Sequence, residues 1–153
     1  MNLLSALLES PTRFAGFGKN HEGETFQGVL TVQRLVGDRA LMLHYTAMVD
    51  GRGEVHTEST LLASAAPGKL GLWPVMSELP FVLPHLESST TSDGSYRLRT
   101  VFASGPRNDR TQFREEISVA LHHDGRLTYA HAWGMPGGSF DDRSLCEMSG
   151  CAT

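Results

Sequence analysis

In the segment GEVHTESTLL, residues 53–62, His56 and Glu58 stand two apart. An imidazole that titrates near neutral pH beside a carboxylate that sets its charge is the pairing acid–base chemistry uses. On an extended strand, residues two apart point to one face. The pair is therefore either inside a pocket or on the wet side of a sheet. Its face continues through Thr60 to Leu62, while Val55, Thr57, Ser59, Leu61 and Ala63 form the other. Neither face is decisively apolar, so both placements stay open.

A second constellation is sharper. In FREEISVAL, residues 113–121, Glu115 shares a face with Phe113, Ile117, Val119 and Leu121. In LTYAHAW, residues 127–133, the set Leu127, Tyr129, His131 and Trp133 lies together. A hairpin through Asp124-Gly125 makes these sets neighbours, which brings Glu115 beside Tyr129, His131 and Trp133. That is a polar anchor in an apolar pocket, or else a hydrogen-bonded core histidine with Glu115 wet at a rim. The candidate ligand-binding residues are His56, Glu58, Glu115, Tyr129, His131 and Trp133, and none is assigned a catalytic role.

Other groups point to less. His44, His56 and His131 come from separate segments, without the H-x-H or H-E-x-x-H spacing of a metal site, so no metal is expected. His122 and His123 precede a turn and are expected in solvent. Arg97 and Arg99 share a face that suits either a ligand carboxylate or the outer surface opposite Tyr96, Leu98, Thr100 and Phe102, and the outer surface is preferred. Cys146 and Cys151, five apart with no nearby histidine, read as reduced thiols. No glycine-rich phosphate loop or serine elbow is present.

These side chains need strands to position them. Leu3, Leu4, Leu7 and Leu8 recur at helical spacing, giving a short amphipathic helix over 2–9 that Pro11 ends. Beyond it, turn signals come at short intervals: NHEGE, VGDR, DGRGE, APGK, SDGS, GPRNDR, HDGR and PGG. Between them lie nine or ten alternating or apolar segments with no helix. So wide a meander removes its edges by closing. The expected fold is all-β: a single antiparallel up-and-down β-barrel of about eight to ten strands, spanning residues 1–153 as one domain, with a two-sheet sandwich as the alternative. The segment GLWPVMSELPFVLPHLE breaks the pattern, because Pro74, Pro80 and Pro84 remove backbone donors. It is read as a strand into Trp73, a loop over the barrel mouth and an edge-like strand. Its apolar residues suit a lid, a subunit contact or core packing.

Bulk composition narrows the partners. The chain has 153 residues, 13 of them basic, and a net charge of −4, which argues against nucleic acid. The opening MNLLSALLESPTR lacks the basic start of a signal peptide, and no run approaches membrane-spanning length. A cytoplasmic protein with no membrane partner is expected. Apolar residues on both faces of 40–49 suggest a homodimer.

With the helix, the alternation and residues 53–62 laid out, the chain resembles a calycin-type barrel. It is similar to nitrobindins, fatty-acid-binding-type proteins and uncharacterised bacterial lipocalin-like proteins. The matching stretches are FAGFGKNHEG, with Phe14, Gly16, Phe17 and Gly18 against a G-x-W-x-G-x-G opening, and VHTESTL, with His56 and Glu58 against L-H-x-E-x-G-Y. The resemblance implies a pocket-facing His56–Glu58 pair. Nitrobindins hold haem through a histidine near the C-terminus, whereas the final strand here, SFDDRSLCEM, has none, so no cofactor is expected. Three functions follow in order: a barrel binding a small apolar or amphipathic molecule without chemistry, a small enzyme using a pocket His/Glu pair, and an assembly protein with a filled interior.

Overall fold

The computed structural model describes residues 1–152. One short helix, α1 (Leu3–Leu8), precedes ten antiparallel strands: β1 (Arg13–Lys19), β2 (Thr25–Leu35), β3 (Ala40–Val49), β4 (Gly53–Ala66), β5 (Lys69–Met76), β6 (His85–Thr91), β7 (Tyr96–Ala103), β8 (Arg114–His122), β9 (Leu127–Gly134) and β10 (Asp141–Gly150). Each strand pairs with the next, and β10 returns to β1 to close the barrel. The all-β up-and-down barrel expected from the turn spacing is what forms, and the sandwich is not.

Alternation sorts inside from outside. On β3, Leu41, Leu43, Tyr45, Ala47 and Val49 are buried while Met42, His44, Thr46 and Met48 face outward. On β9 the inward set is Leu127, Tyr129, His131 and Trp133. Close strand approach explains the glycines of β1 and β2. A Cβ at Gly16 would sit 2.0 Å from the carbonyl oxygen of Glu147, and one at Gly28 would sit 2.5 Å from Cys146 Sγ and 3.3 Å from the Tyr45 ring. Only glycine lets these strands pass β10 and leaves Tyr45 its place.

The two ends of the barrel differ. Helix α1 closes one end by burying Leu3, Ala6 and Leu7, and Asn2 and Ser5 form a capping box at its start. Around it the interior is filled by Phe14, Leu30, Leu41, Leu43, Leu62, Leu98, Leu127 and Met148. The other end carries the connections 20–24, 50–52, 77–84, 104–113 and 135–140. There the buried guanidinium of Arg114 donates to the carbonyls of Arg107, Met135 and Gly138, each at 2.8 Å, which ties two of those loops together.

The proline-rich segment falls at the weakest seam. β5 and β6 pair through only Gly71–Leu86 and Leu72–His85. β5 runs on past Trp73 to Met76, so Pro74 lies beyond the last β6 partner, an edge-like setting that tolerates a missing N–H. Residues 77–84 form the expected loop at the mouth, with Leu79 packed against the core and Phe81 and Val82 exposed. No helix among the described residues is long and apolar enough to cross a membrane.

Candidate active site

Strands β4 and β9 meet inside the loop-bearing half of the barrel. Glu58, 2% exposed, presents its carboxylate to His131, whose Nε2 lies 3.2 Å from Oε1 and 3.4 Å from Oε2. On the other side His56 Nε2 lies 3.6 Å from Glu58 Oε2. The two imidazole rings stand edge to face with centroids 5.4 Å apart. Their far nitrogens are held as well. His56 Nδ1 donates to Glu78 Oε2 at 2.7 Å, and His131 Nδ1 meets Ser144 Oγ at 3.2 Å. Ser144 comes from β10, on the same strand face as the buried Cys146 and Met148.

Below this cluster, towards the helix end, Tyr45 and Tyr129 stack across the interior with centroids 4.6 Å apart. The hydroxyls of Tyr129 and Thr60 are buried with no hydrogen-bond partner, and so is His56 Nε2. Buried polar atoms are nearly always satisfied. The three atoms lie in one neighbourhood, beside Glu58.

Electrostatics fix which groups carry charge. Burial pushes the Glu58 carboxyl towards its neutral form, but His131, through its charge and hydrogen bonds, and the nearby His56 outweigh it and hold the carboxyl below its ordinary range. Burial likewise opposes charge on His131, and Glu58 with help from Glu115 raises its pKa all the same. His56, also opposed by burial, is carried up to about 10 by Glu58 and Glu78. Desolvation raises the Tyr45 and Tyr129 hydroxyls and takes the Cys146 thiol to about 11. The centre is a buried carboxylate between two imidazoles, with neutral hydroxyls and a neutral thiol around it.

A second histidine–carboxylate pair lies alongside. His85, fully buried, has Nδ1 2.6 Å from the Leu83 carbonyl and Nε2 2.9 Å from Glu115 Oε1. A carbonyl only accepts, so Nδ1 donates to it, and Nε2 faces the Glu115 carboxyl. Glu115 is directly paired with Trp133 on β9, two residues from His131.

Each residue singled out from the sequence can now be placed. His56, Glu58, Tyr129 and His131 come together in one cluster. Glu115 is buried beside it in its own pair with His85, not wet at a rim. Trp133 stands half-buried at the mouth, with the Arg143 guanidinium over its ring at 4.1 Å and Phe113 at 6.2 Å. His44 faces outward, bonded to Ser59 and Gln33, away from the cluster. Arg97 and Arg99 point outward, towards Glu9 and Ser118. His122, expected in solvent beside His123, is buried instead, with Nε2 on Thr128 Oγ1 at 2.7 Å. Reading the sequence missed His85, Glu78, Tyr45, Thr60 and Ser144. His85 follows a proline-broken segment with no period, and only the fold brings Glu115 to it from 30 residues away.

With this geometry in place, known proteins offer a fold and little more. No family profile matches the chain, and no curated protein matches it in sequence. Among solved structures, the crystal structure of Rv2717c from M. tuberculosis matches with a TM-score of 0.76 over 97% of both chains, at 15% identity. The likeness is one of fold. The chain is a closed ten-stranded antiparallel barrel.

Proposed function

We propose that the protein is a small enzyme that performs proton-transfer chemistry on a small, partly apolar molecule admitted at the loop-bearing end. The observation that carries this reading is the fully buried Glu58 carboxylate facing the Nε2 atoms of His131 and His56 at 3.2 and 3.6 Å. In the proposed roles, Glu58 and His131 exchange the proton and His56, tied to Glu78, balances the charge. The unpartnered Tyr129 and Thr60 hydroxyls receive a polar group of the substrate. Trp133 and Phe113 supply apolar walls. We place the protein in the cytoplasm.

A second reading, a carrier for a small amphipathic molecule, draws on the nitrobindin-like and fatty-acid-binding-protein-like layout and on the apolar mouth residues Trp133, Phe113 and Leu79. Homodimerisation belongs to the proposal too. The outward face of β3 mixes exposed Met48 with hydrogen-bonded His44, so a dimer would rest on a mixed surface. Light scattering at high concentration tests it.

The activity is tested with a panel of nitrophenyl esters, lactones and enolisable ketones. Wild-type turnover should fall about 100-fold or more in Glu58→Gln and His131→Asn proteins that stay folded. A folded Glu58→Gln protein with wild-type turnover overturns the acid–base reading. A wild-type protein that returns a bound small molecule unchanged, with Glu58→Gln binding it equally well, establishes the carrier instead.

A further inference from the structure

The same cluster has the construction of a metal centre. His56, Glu58 and His131 each offer one ligand atom, and the three atoms lie within 4.8 Å of one another. We infer that this site takes one divalent transition metal ion, zinc by the chemistry of its donors, through His56 Nε2, His131 Nε2 and a Glu58 oxygen. The inference rests on the proposed active-site reading and shares its residues; with the ion bound, a water on its open position would supply the proton in place of a Glu58–His131 exchange.

Four observations support it. The donor set comes first. Two imidazoles and one carboxylate are borderline ligands that suit zinc, and three protein ligands leave the fourth position of a tetrahedral ion open. Spacing comes next. Ligands about 2.1 Å from a tetrahedral ion sit roughly 3.4 Å from each other. His131 Nε2 and His56 Nε2 already lie 3.4 and 3.6 Å from the same oxygen, Glu58 Oε2, so it is mainly the gap between the two rings that has to contract.

The outer contacts are the third. Metal-bound histidines characteristically have their other ring nitrogen held by a carboxylate, carbonyl or hydroxyl, which fixes the ring and aims the coordinating lone pair. Here Glu78 holds His56 Nδ1 at 2.7 Å and Ser144 holds His131 Nδ1 at 3.2 Å, leaving Nε2 of both rings turned to Glu58. Fourth, His56 Nε2 is buried without a hydrogen-bond partner, as are the nearby hydroxyls of Thr60 and Tyr129. An ion gives the nitrogen its partner, and a water or substrate oxygen on the open position gives the hydroxyls theirs.

The test uses the full-length protein, dialysed against a chelator and titrated with zinc chloride against a colorimetric zinc indicator. Native mass spectrometry counts the ions, and cobalt(II) serves as a visible reporter of coordination. One zinc per chain is expected, with cobalt bands of tetrahedral or five-coordinate N/O character. Glu58→Gln and His131→Gln should each weaken binding by about 100-fold or more. Glu78→Gln alters a half-exposed side chain outside the ligand set, so it should fold normally and still weaken binding about 10- to 100-fold. His44→Gln, on the outer face, should leave it unchanged. Failure of the wild-type protein to bind zinc, or equal binding by folded His131→Gln and Glu78→Gln proteins, overturns the site. The two proposals fail separately. Turnover by chelator-treated protein that binds no zinc removes the metal alone, whereas zinc bound at the site with no turnover on the panel removes the activity alone.

Discussion

Glu58 keeps its negative charge away from water because two imidazoles surround it, and that arrangement has measurable consequences for the metal-free protein. A buried ion pair gives little over an apolar substitute, yet removing one partner strands the other. Glu58→Leu should therefore cost about 3–5 kcal/mol, and His131→Phe a comparable amount. The double variant should cost less than their sum by about 1–3 kcal/mol, read from urea unfolding. Additive losses would show that the pair is not coupled. Stability should also follow pH in two limbs. The His56 pKa is raised to about 10 in the folded protein, so its contribution is complete below the ordinary 6.5 and fades as pH rises towards 10. That of Glu58 is lowered, so its contribution is complete above the ordinary 4.5 and fades as pH falls below it. The melting temperature should peak between these two ordinary values, and the alkaline decline should shrink in His56→Asn. An unchanged alkaline limb in that variant would disconnect His56 from the cluster.

At the scale of the elements, legibility depended on whether a strand had one plainly apolar face. β8 and β9 do, so the inward sets containing Glu115, Tyr129 and His131 could be read from alternation alone. β4 does not, because its inward face spends His56, Glu58 and Thr60 on the site, and local pattern rules tend to break where function sits. β3 is apolar on both faces, which concealed the inward position of Tyr45. β6 lacks any period and is joined to β5 by two residue pairs, so nothing in its sequence pointed to a buried His85. His122 is buried despite its place before a turn, because Thr128 across the hairpin supplies a buried partner. Between the elements, Arg114 does work that no pattern announces. Its guanidinium satisfies carbonyls of loops 104–113 and 135–140 beside Trp133. Arg114→Met should cost about 3 kcal/mol, since hydrogen bonds to a charged group are worth about 1.5–3 kcal/mol and the carbonyls would be left unpaired. Amide exchange should quicken in those two loops and stay slow in β2 and β3. Uniform quickening would mean that Arg114 supports the whole barrel and not its mouth.

Across the whole molecule the two ends carry different duties. The helix end is a packed apolar plug in which Leu3, Leu7, Phe14, Leu30 and Leu127 are fully or almost fully buried. The loop end holds a buried charge cluster and orphaned hydroxyls, features that lower stability wherever they occur. Such a site can persist only if burial elsewhere outweighs it, and the barrel connects the two ends through continuous strands β4 and β9. Does the plug merely stabilise, or does it also set the geometry of Glu58 and His131? Leu7→Ala separates these. Losing a fully packed leucine should cost about 2–5 kcal/mol, seen as a lower urea midpoint at unchanged slope. If the plug acts only through global stability, zinc affinity and the alkaline limb of the pH profile should match wild type in the folded variant, because distant sites without shared partners add independently. A weakened metal site in a fully folded Leu7→Ala protein would instead show that strain at the helix end reaches the cluster along β4 and β9. The apolar half would then be part of the device that holds two imidazoles and a carboxylate in register.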